Sequence, residues 1–224
     1  MKKFELTSEF VTFLGEKLFR IKALVSFGDV AEGELGGFIK KENNLDQSGD
    51  AWVYGDAQVY GNARVYGDAR VYGDAQVYGD AWVYGDALVY GNARVSGDAW
   101  VSGDAQVYGD AQVCGDAWVS GDAQVYGDAW VSGNAWASGN AWVYGDAWVQ
   151  CCRDYSAASC FGSKNRTTTF FRTKDDGIGV RCGCFYGTLE EFREKVKERH
   201  GDSRLAKEYL TLADAMEFRL SKDE

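Results

Sequence analysis

Gly49-Asp50-Ala51-Trp52-Val53-Tyr54 is followed at once by Gly55-Asp56-Ala57-Gln58-Val59-Tyr60, and the phrase Gly-Asp/Asn-Ala-x-Val-x then recurs fifteen more times without an insertion, ending at Gln150. A fixed period of this kind decides the architecture before any other feature. Ala and Val stand two apart in each phrase, so on an extended chain both point to one side and the variable residues to the other. Gly followed by Asp or Asn supplies a corner, because these residues tolerate the positive φ of a sharp turn. A short strand and a corner at period six predict a solenoid with a dry Val/Ala interior.

The phrase Val53 to Gln58 (Val-Tyr-Gly-Asp-Ala-Gln), with the copies that follow it, resembles the hexapeptide repeat of left-handed parallel β-helices. The resemblance covers 102 of 224 residues. It implies three units per triangular coil, 18 residues in all. The chain departs from that family at the position after Val, where the family prefers a small or acidic residue and this sequence has mostly Tyr or Ser. Pentapeptide and nonapeptide solenoids fit the period worse.

Residues one coil apart should stack roughly 4.8 Å above one another, and the sequence itself tests this. Every eighteenth residue from Tyr54 is Tyr72, Tyr90, Tyr108, Tyr126 and Tyr144. Every eighteenth from Arg64 is Trp82, Trp100, Trp118 and Trp136. The three faces are therefore not equivalent. The fold class expected is an all-β solenoid, a left-handed parallel β-helix over residues 49–150. It is flanked by an N-terminal β-rich cap over 1–48 and a C-terminal α+β domain over 151–224.

The net charge is −10. It is concentrated in the repeat, which has thirteen Asp, no Glu or Lys, and only Arg64, Arg70 and Arg94. Affinity for nucleic-acid backbone comes from basic residues, so polymeric nucleic acid is not an expected partner. No stretch approaches the ~18 apolar residues of a membrane span, and Met1 to Glu5 lacks the apolar core of a secretory signal. A cytoplasmic protein with no membrane partner is expected, in host cytoplasm if phage-encoded.

Before the repeat, Phe10–Leu14 and Leu18–Val25 read as a hairpin around Gly15-Glu16. After a turn near Gly28-Asp29, Leu35–Ile39 begins the first coil. A solenoid end exposes core and backbone edges, which such a segment covers; a binding role for Arg20, Lys22 and Lys40 is the alternative. After Gln150, Asn165–Lys174 and Ile178–Phe185 read as a hairpin around Asp175-Asp176-Gly177. Thr188-Leu189-Glu190-Glu191 has the form of a capping box opening a helix to His200, with Leu189, Phe192 and Val196 inward and Gly201 as C-cap. A second helix begins at Asp202 or Ser203, with Leu205, Leu210, Met216 and Leu220 inward. Gly162-Ser163, Cys182-Gly183-Cys184-Phe185 and His200-Gly201-Asp202 resemble C-terminal domains that follow such repeats in proteins of bacteriophages and their hosts. That resemblance carries no activity.

Many hexapeptide-repeat proteins are acyltransferases using a His base beside an interrupting loop. This repeat has neither, and the single His, His200, is expected to serve the end of its helix. No catalytic residue, metal or cofactor is expected, and the chain reads as a non-enzyme. Two features keep a second reading open. Cys151, Cys152, Cys160, Cys182 and Cys184 cluster, with Cys182 and Cys184 on one side of a strand; they read as reduced thiols or as a metal or disulfide site. The corner column Asp50, Asp68, Asp86, Asp104, Asp122 and Asn140 reads as solvated side chains or as oxygen ligands for a cation.

The aromatic columns carry the functional expectation. Trp82, Trp100, Trp118 and Trp136, with Tyr54, Tyr72, Tyr90, Tyr108, Tyr126 and Tyr144, expose more apolar area than a monomer usually leaves open. Four of five Ser at the last repeat position follow a Trp by two residues (Ser102, Ser120, Ser132 and Ser138), which predicts a flat indole strip beside a shallow groove. An oligomeric scaffold, favoured as a trimer and presenting its C-terminal domain to a partner, is the first function expected. The second, from another class, is a small-molecule binder that sequesters a planar or nucleotide-like ligand, in a phage setting a host signal, with Ser163, Lys164, Asn165, Arg166 and Thr167 towards phosphate.

Overall fold

Residues 2–221 are described by the computed structural model of the chain, so Met1 and 222–224, the extreme ends of the first and last expected segments, lie outside the described residues. Each repeat does what its residue order dictates. The corner glycines from Gly49 to Gly145 all have positive φ, between 58° and 74°. At Gly97 a Cβ would also sit 2.9 Å from the backbone nitrogen of Gly115 in the next coil, so the corner needs Gly for conformation and for space. The seventeen short strands between corners, β4 to β20 in chain order, run from Trp52–Val53 to Trp148–Val149. They stack in parallel at an interval of 18, for instance Trp82↔Trp100↔Trp118. Trp82 N–H donates to Ala99 C=O at 2.9 Å and Tyr84 N–H to Val101 C=O at 3.0 Å, one coil on.

The result is a parallel β-solenoid with three sheets as its faces. Every repeat Ala and the Val two residues on (Ala137 once in its place) is no more than 1% exposed. Fully burying a Val side chain stabilises by about 1.5–3 kcal/mol, so the interior is one apolar column from end to end.

The N-terminal segment joins one face. β1 (Phe4–Phe13) and β2 (Glu16–Ala23) form a hairpin whose register puts Phe13 opposite Glu16. The turn is thus Leu14-Gly15, with φ of 49° and 81°, one residue before the expected Gly15-Glu16, because both central residues of such a turn need positive φ. β3 (Leu35–Ile39) lies antiparallel to β2 and parallel to the strand Gln58–Val59. Here the interval is 20 (Ile39↔Val59, Leu45↔Val65) and returns to 18 at Trp52↔Arg70. Two extra residues therefore widen the corner between Leu45 and Trp52. Lys3 fills it, its Nζ donating to the carbonyls of Ser48, Gly49 and Ala51. Trp52 is buried beneath Phe4 and Phe27, both edge-on.

At the other end the chain builds four antiparallel strands, not the hairpin expected: β21 (Tyr155–Phe161), β22 (Arg166–Arg172), β23 (Ile178–Cys182) and β24 (Phe185–Thr188). The expected strand Ile178–Phe185 is broken at Gly183, whose φ of 60° reverses the chain, so Cys182 pairs across to Phe185 and Cys184 sits in the turn. Neighbouring residues of β22 face opposite ways. Phe171 joins the solenoid core, and Phe170 joins a second core with Val180 and the helices. The sheet is thus a layer between solenoid and helices. Ala147 bridges to Thr173, and Lys174 N–H donates to Asp146 C=O at 3.0 Å.

Helix α1 (Leu189–His200) opens with the reciprocal cap its sequence predicts. Glu191 N–H donates to Thr188 Oγ1 at 3.2 Å, and Glu191 Oε2 accepts from Thr188 N–H at 2.8 Å. Helix α2 (Arg204–Leu220) is capped by Ser203. Its inward face is Ala206, Tyr209, Leu212, Ala213 and Leu220; Leu205, Leu210 and Met216 of the expected set are only half-buried. Among the described residues no helix is long and apolar enough to cross a membrane.

Candidate functional site

The aromatic columns follow from the coil, since identical outer residues one coil apart stack on each other. Tyr72, Tyr90, Tyr108, Tyr126 and Tyr144 form one ladder with ring centroids 4.2–4.9 Å apart. Tyr54 packs against the core at its head. Tyr186 of β24 closes its foot, edge-on to Tyr144 at 4.6 Å, and donates to Asp146 Oδ1 at 2.8 Å. Burial, with neighbouring phenols second, pushes the Tyr108 hydroxyl up to about 12. The five ladder rings are half-buried and stacked on one another.

The indole column differs from the flat strip expected. Trp82 and Trp100 stack within 8°, and Trp118 and Trp136 within 5°, but Trp100 meets Trp118 at 62°. The cause is the Ser expected to leave a groove. Ser102 is buried, and its Oγ accepts from Trp118 Nε1 at 3.3 Å, so the indole swings into the space a Tyr would fill. Trp100 (38% exposed) and Trp136 (49%) remain open to solvent. The other four indoles fall elsewhere: Trp52 inside, Trp130 and Trp148 together on another face, and Trp142 at the junction with the C-terminal domain.

The polar candidates separate. Arg20 is tied to Glu9 and the Gly36 carbonyl, and Lys40 to Glu16. In the Asp columns, Asn62 Nδ2 donates to Asp80 and Asn92 Nδ2 to Asp110, which relieves like-charge repulsion along the corner. Among the described residues no three His, Cys, Asp or Glu side chains converge as a metal-binding group. All six cysteines are free thiols, and the turn at Gly183 takes Cys182 and Cys184 off a common strand.

The loop Gly162–Asn165 and the start of β22 are where chemistry gathers. Gly162 has φ of 71°, and a Cβ there would collide with the Tyr209 hydroxyl. That hydroxyl instead accepts Ser163 N–H at 3.2 Å, while Glu208 accepts Gly162 N–H at 3.0 Å. The loop is thereby clamped onto α2. Its five candidates face two cavities. Ser163, Lys164 and Arg166 line a pocket of about 260 Å³ with Lys195, Arg199 and His200 of α1. Asn165, Arg166 and Thr167 line a larger cleft of about 680 Å³ against the solenoid. Lys195 pairs with Glu198 at 2.7 Å. Lys164, Arg166 and Arg199 make no ion pair among the described residues. His200 stacks on Tyr209 with centroids 5.7 Å apart, and the pocket lining contains no carboxylate. Sequence reading found the loop and missed the α1 cations, whose spacing along an exposed helix looks like ordinary solvated surface.

Residues 57–73, 63–79, 75–90, 87–103, 105–121 and 123–139 match the family model described as the YdcK beta solenoid repeat. The chain carries beta-solenoid repeats. The likeness ends at residue 139, so the four-stranded sheet, both helices and the cationic pocket lie outside it. No match was found among curated proteins.

Proposed function

We propose that this is a non-enzymatic binding protein in which the solenoid is a stiff carrier and the C-terminal domain holds a small anionic ligand. The observation that carries the reading is the convergence of Lys164, Arg166, Lys195, Arg199 and His200 on one cavity floored by Phe185, Phe192 and Tyr209. Guanidinium forks and an ammonium suit phosphate oxygens, and the aromatic floor suits a planar group. In a chain of net charge −10, this patch stands out as the place where an anion is attracted rather than repelled. A phage setting, with the ligand a sequestered host signal, is the part of this reading that rests on the sequence resemblance alone. Calorimetric titration with inorganic pyrophosphate tests the pocket. Lys164→Ala with Arg199→Ala should weaken binding by about tenfold or more, with the loss shrinking at high salt; unchanged affinity would sink the proposal.

A second reading, self-association as a trimer, is favoured by the exposed faces of Trp100 and Trp136 on one side of the rod. Trp100→Ser with Trp136→Ser should then convert the assembly to a 24.7 kDa monomer in native mass spectrometry. A parent protein that is already monomeric would end that reading.

A further inference from the structure

The two cavities of the C-terminal domain share a wall. Arg166, Gly183 and Cys184 line both the cationic pocket and the junction cleft. The wall is low at Gly183, which has no side chain, and a Cβ there would stand 3.0 Å from Arg166 Nη1. A ligand seated among the cations can therefore continue over the glycine into the cleft.

The far side of that cleft is made by the solenoid itself, through Asp122, Gln124, Asn140 and Trp142. Facing them are Thr167, Thr169 and Arg181. The Arg181 guanidinium lies 5.0 Å over the Trp142 ring and 5.8 Å over Tyr144. Its Nε is buried and has no hydrogen-bond partner among the described residues, so the guanidinium is held in the cleft wall by its aromatic contacts. Amides, hydroxyls, one carboxylate and an indole make a different chemistry from the pocket. They suit a hydroxyl-rich ring, whose hydroxyls both donate and accept and whose C–H face packs on an aromatic surface. The same column holds Gln106 and Gln124 in the two preceding coils, and Trp142 stands where the column reaches the C-terminal domain.

We propose that the ligand is a phosphorylated saccharide, its phosphate among Lys164, Arg166 and Arg199 and its sugar laid across Gly183 against Gln124, Asn140 and Trp142. This rests on the anion-pocket reading above, and it makes the last coil part of the site rather than only a support.

The test is calorimetric titration of the full chain with inorganic phosphate and with the 1-phosphates of glucose, galactose and N-acetylglucosamine. At least one sugar phosphate should bind about tenfold tighter than phosphate. Trp142→Gln, which restores the residue of the coils below and so spares the fold, combined with Asn140→Ala, should erase that preference and leave phosphate binding unchanged. If no sugar phosphate binds tighter than phosphate, or if the preference survives in the double variant, the sugar site is refuted while the anion pocket stands. If phosphate fails to bind, or binds equally well after Lys164→Ala with Arg199→Ala, the pocket itself fails and this inference falls with it.

Discussion

Val101 in the solenoid and Phe171 in the C-terminal sheet are both fully buried, yet different kinds of neighbour hold them. Val101 is stacked between Val83 and Val119, copies of itself in the coils on either side. Phe171 belongs to the solenoid core while Phe170 beside it belongs to another, and no periodicity relates their partners. In the repeat, a position number is enough to name a residue's surroundings. In the C-terminal domain, surroundings come from segments that meet only once the chain has folded. The lesson is that repetition builds a rod cheaply, whereas a site with several kinds of side chain around one cavity needs non-repeating chain.

The sharpest way to break this contrast is Val101→Asp. It places a carboxylate in a dry column with no partner, and it should lower stability by more than about 4 kcal/mol, read as the urea midpoint. A variant as stable as the parent would mean that the interior admits water. Next in size is Phe171→Ala, where loss of a buried ring should cost about 3–5 kcal/mol. Because Phe171 belongs to the solenoid core, calorimetry should then resolve a separate transition for the C-terminal domain. One transition at the parent temperature would show that the two regions are not coupled through it.

The smallest effect concerns pH. Burial first, and neighbouring phenols second, push Tyr108 of the tyrosine ladder up to about 12. A folded value above the unfolded one means the neutral form is favoured in the ladder. Its contribution is therefore whole below about pH 10, the unfolded value, and is lost as pH rises towards 12. Ultraviolet titration should show tyrosines ionising late, in step with unfolding. Ionisation of every tyrosine at the ordinary value would contradict the stacked geometry.

Much of the architecture could be read in advance because local rules and global fold agree there. The interval of 18 was visible in the Tyr and Trp columns and appears as strand register. The reciprocal cap of Thr188 and Glu191 was visible because all its atoms lie within one turn. The failures have physical causes too. Shrinking Tyr to Ser predicted a groove, but an indole one coil on fills it and spends its N–H there. The two extra residues in the first coil have no local signature because their corner is filled by Lys3, more than forty positions away. The outer strands β21 and β24 lack the β-branched run that marked β22, and their existence depends on pairing with β22 and β23 respectively.

The six-residue phrase alone therefore determined the rod: its period, its dry interior, its glycine corners and the identity of each stack, since each follows from which way a side chain points on a short strand. Only the tertiary structure decided the candidate site. Lys164 and Arg166 meet Lys195, Arg199 and His200 because a glycine pinned beneath Tyr209 clamps the loop to α2. Trp142 and Arg181 meet because Phe171 anchors the sheet on the last coil. Long-range packing, which no local pattern encodes, brings those charges and that indole to adjoining cavities.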